Sequence, residues 1–330
     1  MTERRGWGFP TDKIRLNLSR HLRGEGIELG PGHHPYVIVL PGTSVKYLDR
    51  WVPKENRELF PELGDKAEFP TTDVVADLDA ELLGMLGDQS QDFVIASHVF
   101  EHVANPLALL EDSHRVLRPG GVLLLLLPDM TITSDRLREP TTLEHLVAEY
   151  DAKVREVDDA HVEDYLRVVR SFTGTGTELA ERVARERARS IHVHCWTEST
   201  FFPVLRYAVD QLDIGFEMVE LVTVTDVKGS NEFGYILRRP IVQASAATNT
   251  ERLLATHQLL MENRFAQSDP RLVAAAAGGV GAPARRQRHP ALRAARRVQR
   301  KVQRESAKGL KLVRDKIEQH DPREGRTPKP

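Results

Sequence analysis

The stretch Asp92–Pro128, DFVIASHVFEHVANPLALLEDSHRVLRPGGVLLLLLP, constrains the fold more than any other part of the chain. It ends in five consecutive leucines, Leu123–Leu127, directly after a Pro-Gly-Gly break. Successive residues of a strand face opposite sides, so an unbroken apolar run needs cover on both faces. That is the setting of a central parallel strand between helices. Asp92–Ser97 reads as a second such strand, and Pro106–Arg118 as the helix joining the two. Leu107, Leu110 and Leu117 fall on its helical period, and Pro119-Gly120-Gly121 stops it.

The same alternation extends outward. Gly26–Gly30 reads as a first strand ending in a glycine turn, Val45–Asp49 as a second and Asp73–Asp77 as a third. Phe216–Val224 and Glu232–Arg239 read as a closing hairpin. Strands alternating with helices predict an α/β chain, a Rossmann-like, doubly wound, mostly parallel seven-stranded sheet. Residues 1–135 and 191–240 form that domain. Residues 136–190, polar and rich in Arg and Glu, interrupt it as a helical insertion or cap. Residues 241–284 read as a helix and flexible linker, with Ala274–Pro283 (AAAAGGVGAP) as the linker.

Composition adds three limits. The run Val122–Leu127 is too short to span a bilayer, and Met1–Pro10 has no apolar core of a secretory signal. The single cysteine, Cys195, rules out an internal disulfide framework and reads as a small buried hydrophobe. The expected location is the cytoplasm, with peripheral membrane attachment as an addition. The net charge of −2 is unevenly divided: residues 285–330 hold 16 of the 46 Lys/Arg but 5 of the 48 Asp/Glu. Leu292, Ala295, Val298, Val302, Leu310, Val313 and Ile317 recur there at mostly helical spacing. This basic amphipathic tail suits an anionic membrane surface or a protein partner. Nonspecific nucleic-acid contact ranks below both, because neither tail nor insertion carries a stripe of stacking aromatics.

Glu28-Leu29-Gly30-Pro31-Gly32 follows the first strand, where glycines let a ligand approach the backbone. Asp49 ends the second strand, 19 residues beyond Gly30, and a carboxylate there can accept both hydroxyls of a ribose. Asp77 ends the third, within reach of an adenine amine. In these motifs, and above all in the S-x-x-x-E-H and L-R-P-G-G stretches of 92–128, the chain resembles the class I S-adenosylmethionine-dependent methyltransferases. The likeness spans roughly residues 24–130. It implies S-adenosylmethionine as cofactor, with Glu28, Gly30 and Gly32 lining its methionine part. It places Asp49 on the ribose, Asp77 and Leu78 on the adenine, and Ser97 and His98 beside the sulfonium. The family's common third glycine is His34 here. Only Pro31–Ser44 separates the first two strands, so the usual first helix is short or missing.

Histidines supply the remaining chemistry. His98–His102 spells H-x-x-E-H, which can place two metal ligands on one helix face, but the motif starts at a strand end and Asn105-Pro106 follows closely. His192-Val193-His194 alternates, so both rings would face one side of a strand, with His33, His34, His145 and His161 able to converge there. We assign no metal, reading each histidine as a hydrogen-bonded pocket wall. Methyl transfer to a hydroxyl needs alignment and a base. His102, His145, His192 and His194 are the candidate catalytic residues, with Asp129 as a carboxylate alternative. The expected reaction is O-methylation of a polar small molecule or glycan. A noncatalytic cofactor-binding or assembly protein, and an RNA methyltransferase, are the alternatives.

Overall fold

The computed structural model describes residues 11–268, apart from 37, 39, 65–66 and 227–228. The basic tail 285–330 and the linker Ala274–Pro283 lie outside the described residues. Seven strands form one sheet: β1 Gly24–Leu29, β2 Thr43–Asp49, β3 Val74–Val75, β4 Gln91–Ser97, β5 Leu117–Pro128, β6 Glu217–Val222 and β7 Glu232–Arg238. Their order is β3-β2-β1-β4-β5-β7-β6. β7 runs antiparallel to both neighbours, while β1, β2, β3, β4 and β5 pair in parallel. The order reverses between β1 and β4, so a crevice opens there beyond the strands' carboxyl ends.

The helices are α1 Thr11–Leu18, α2 Pro53–Leu59, α3 Leu78–Glu81, α4 Pro106–Val116, α5 Leu143–Asp151, α6 Asp159–Asp164, α7 Gly176–Arg189, α8 Glu198–Gln211 and α9 Ala246–Ser268. α6 continues into a π-helical turn, Tyr165–Val169. The leucine run behaves as its pattern requires. Leu123, Leu125 and Leu127 join a core with Phe201, Val204 and Leu253 from α8 and α9. Leu124 and Leu126 join a second core with Ile14 and Leu18 from α1 on the other face. All five leucines are fully buried. α5, α6 and α7 make up the insertion, whose own small core contains Val162, Leu166 and Val183 together with Ile191 and Val193.

Three local expectations change. The helix after β4 stops at Val116 and Leu117 is already extended, because Pro119 disfavours helical backbone at Arg118 and β5 begins pairing at Leu117. β3 shrinks to Val74–Val75 because Asp77 turns the chain, its side chain accepting the Asp79 N–H at 3.0 Å to cap α3. Residues 192–194 form no strand. The carbonyl of Glu101 takes both the Val193 and His194 N–H groups (2.7 and 3.1 Å), which holds the segment off the sheet. Between β1 and β2 no helix occurs among the described residues.

Candidate active site

A cavity of about 310 Å³ lies at the β1/β4 crevice. Its floor is the glycine loop: Gly30 and Gly32 both adopt left-handed backbone, φ +53° and +52°, which L-residues with a Cβ adopt at a cost. Glu28 holds this loop from beneath. Its buried carboxyl accepts the Tyr36 N–H at 2.8 and 3.0 Å, and burial, outweighing that bond and Arg15, raises it to about 8. It therefore clamps the loop and is not among the cavity-lining residues.

Asp49, at the end of β2, lines the cavity. Burial raises its pKa against the Trp51 N–H and the Asn56 amide, which it accepts at 3.3 and 3.5 Å. Trp51, Phe60 and Leu78 supply an apolar wall, and Asp77 an edge. Asp77 is paired with Arg50 at 2.9 Å. A carboxylate for sugar hydroxyls, apolar and aromatic side chains for a base, and open backbone at two glycines fit S-adenosylmethionine in chemistry. The cavity lies at the lower end of the usual ligand-site range, about 300–1,000 Å³. A larger cavity of about 810 Å³ runs along α4 past Glu111, Arg115 and Arg239 and shares none of these residues.

Ser97 pairs with Leu126 in the sheet and does not line the cavity. His98 does, and it stands in left-handed backbone, φ +57°, an outlier of the kind stored at functional sites. Its Nε2 lies 3.0 Å from Glu232 and its Nδ1 3.4 Å from Glu101. Burial depresses His98, but hydrogen bonds and attraction to Glu101 and Glu232 outweigh it and raise it to about 9. Glu232 is in turn paired with Arg15 at 2.9 Å. Arg15, Glu232, His98 and Glu101 thus form a row of alternating charge beside this cavity. These partners are separated by up to 217 residues, so no local motif announces them.

His102 also faces the cavity. Its Nδ1 sits 2.8 Å from the Ile191 carbonyl, so Nδ1–H donates and Nε2 keeps its lone pair. Burial first, then His192 and His98, lower His102 to about 4 despite Glu101 and the Ile191 bond, leaving it neutral at pH 7. The His192 ring meets it edge-on at 4.8 Å, and His192 Nδ1 bonds Asp135 at 2.6 Å. A second cavity of about 90 Å³ adjoins, sharing His102, Asp77 and Ser190 with the first and adding Arg155, Glu156 and Arg187.

His145 and His194 belong elsewhere. They meet His161 in a separate group, so the two rings of the 192–194 segment part company. The His33 and His34 rings meet at 3.8 Å, tilted, with Phe69 beside His33, and neither belongs to these two groups. H-x-x-E-H forms a strand end and a 3₁₀ turn, Phe100–His102, and not a helix face. Cys195 is buried, its Sγ on the Glu139 carbonyl. Asp129 caps the turn Met130–Ile132 through the Thr131 N–H. No helix among the described residues is long and apolar enough to cross a membrane.

The sequence profile described as a methyltransferase domain matches residues 45–125. A probable S-adenosylmethionine-dependent methyltransferase of Mycolicibacterium smegmatis is 31% identical over 160 residues, 45% of this chain and 60% of the relative's length. A SAM-dependent methyltransferase from Aquifex aeolicus aligns at 14% identity over 69% of this chain and 89% of its own, with TM-score 0.35. One from Methanosarcina mazei aligns at 17% identity over 68% and 98%, with TM-score 0.36. Residues 45–125 thus match a methyltransferase-domain profile, and the chain is similar over part of its length to a probable S-adenosylmethionine-dependent methyltransferase, of which it spans less than two thirds.

Proposed function

We propose that the protein transfers a methyl group to a hydroxyl of a polar small molecule or glycan, with His102 as the base. The observation that carries this reading is the position of His102. It lines both the cofactor cavity and the smaller cavity beside it, and Ile191 fixes its tautomer. S-adenosylmethionine supplies the methyl group when bound. A hydroxyl acceptor must lose its proton as the new bond forms, and the lone pair on His102 Nε2 can take it. Burial leaves His102 neutral at pH 7, so this lone pair carries no proton there. The neighbouring cavity is walled by Arg50, Arg155, Glu156 and Arg187 from the body and the insertion. Such a lining favours an acceptor rich in hydroxyls or charge over an apolar one.

The test is a transfer assay with labelled S-adenosylmethionine against panels of sugars, polyols, amines and thiols. Label in a base-stable ether is expected. His102→Gln should lower turnover by roughly 10²–10⁴-fold while leaving cofactor affinity nearly unchanged. Transfer only to nitrogen, sulfur or carbon, or full turnover in His102→Gln, refutes the reading.

A further inference from the structure

We propose that His145, His161 and His194, with Glu149, bind a single divalent metal ion of the zinc class that pins the insertion to the sheet domain. Three imidazoles and a carboxylate arrive from three segments: His145 and Glu149 one turn apart on α5, His161 on α6, His194 on the return to the sheet. His145 Nε2 stands 2.9 Å from His161 Nε2 and 3.0 Å from Glu149 Oε1. Glu149 Oε1 is 3.4 Å from His161 Nε2, and Oε2 is 3.5 Å from His194 Nε2. Four ligands around a tetrahedral zinc, each about 2.0–2.1 Å from it, stand about 3.3 Å from one another. The three histidine nitrogens lie within 4.8 Å of one another, and the approaches of one or other Glu149 oxygen to them, 3.0–3.5 Å, fall near that value.

The polar accounting points the same way. His194 is 0% exposed, and apart from a backbone contact with Ala104 neither of its nitrogens makes a well-formed hydrogen bond. Glu149 Oε2 is likewise buried and unpartnered. Orphaned polar atoms at such depth are costly, and a cation would satisfy His194 Nε2 and Glu149 Oε2 together. His161 carries the support typical of a metal-bound imidazole: its Nδ1 bonds Asp158 Oδ1 at 2.8 Å, which leaves Nε2 as the donor toward the group. The His194 ring is fixed by stacking on Trp196. Four protein donors leave no open position, the arrangement of a structural site.

The other convergent group, Glu101, His102 and His192, is the weaker candidate. Its carboxylate already faces a counter-charge, His98, at 3.4 Å, and His102 Nε2 stands 3.8 Å from Glu101.

The experiment uses the full chain without a histidine tag. Elemental analysis should find one zinc per chain. After chelator dialysis, cobalt(II) should restore the intense visible bands of a four-coordinate site. His145→Ala and His161→Ala should each abolish those bands and weaken zinc binding by about 100-fold or more. Asp158→Asn, which removes only the outer partner of His161, should cost about 10–100-fold. His192→Ala should leave one zinc in place. His145 is the most exposed of the three, so its variant tests binding even where a His194 variant fails to fold. Absence of stoichiometric metal, retention in the double variant of His145 and His161, or loss in His192→Ala overturns the proposal.

Discussion

Two groups of histidines flank the segment 191–196, and their nitrogens are handled in opposite ways. On the cavity side His102 and His192 each have Nδ1 committed to a protein oxygen, of Ile191 and Asp135, while His98 has both nitrogens against carboxylates. Those bonds set which nitrogen holds a proton, and a defined tautomer is what proton transfer needs. On the insertion side ring nitrogens face one another, and His194 Nε2 meets Glu149 Oε2 only at 3.5 Å. Lone pairs directed at a shared point cannot all be satisfied by protons. They suit one cation. Burial alone does not separate the groups, since each contains a fully buried member, Glu101 or His194. The partners of Nε2 do: His145 Nε2 and His161 Nε2 meet each other at 2.9 Å, whereas His161 Nδ1 is held by Asp158 much as His192 Nδ1 is by Asp135.

The largest effect is expected where both groups share a support. Arg138, with 5% of its side chain exposed, pairs with Asp135 at 3.1 Å and Asp164 at 2.9 Å. It also donates to the carbonyls of His192 and Val193 at 2.8 and 2.9 Å. Arg138→Met should lower unfolding free energy in urea by about 3–5 kcal/mol, the usual loss when a buried pair is broken. Both sites should weaken together. If only the insertion loosens, the two groups are not built on one seam.

The next effect separates them by pH. His98 is raised in the fold to about 9, from about 6.5 in the unfolded chain. Its ion pairs therefore contribute stability that is fully present below pH 6.5 and lost as pH rises through 9. The contribution is on the order of 3 kcal/mol. Urea titrations should show wild type well above His98→Asn at pH 6 and the gap closing by pH 9.5. A gap independent of pH would show that His98 acts by packing and not by charge.

Much of this was readable beforehand, for reasons that differ between regions. β5 declared itself because a central strand has no polar face, and Leu123–Leu127 obey that rule on both sides of the sheet. That Gly30, Gly32, Asp49 and Asp77 would line one crevice was legible because strand ends and the turns after them lie close in sequence. Glu28 was located but not its task, since its partner is the backbone of Tyr36. The row Arg15–Glu232–His98–Glu101 and the pair Asp135–His192 were missed. A salt bridge leaves no periodicity, and only the folded sheet brings residues from α1, β4 and β7 together. The same holds for His192 and His194: alternation suggested one shared face, but the hydrogen bonds of Glu101 removed the strand on which that inference depended.

The cofactor end can be weakened alone. Asp49→Ala should reduce S-adenosylmethionine affinity by about 1–3 kcal/mol, roughly the worth of hydrogen bonds to a charged acceptor. Calorimetry on the folded variant measures it, and its metal content should stay that of wild type. Unchanged affinity removes Asp49 from the ribose.

The smallest expected effect comes from the opposite end, at the start of α5. Thr142 accepts the His145 N–H at 3.2 Å and so caps the helix that carries both His145 and Glu149. Losing a threonine cap costs about 1 kcal/mol, within a range of about 0.5–2. His145 sits in the uncapped turn, so fraying there moves a ligand directly, whereas Asp49 and His102 lie on other segments. Thr142→Ala should therefore speed zinc loss to a chelator several-fold while leaving S-adenosylmethionine affinity unchanged within error. The chelator exchange rate is the decisive reading, because it moves only if helix order limits metal retention. An unchanged rate with the expected stability loss would mean that α5 holds His145 by its packing on α4 and not by its cap. A parallel loss of cofactor affinity would mean that the two groups are coupled through the insertion, and the contrast between them would fail.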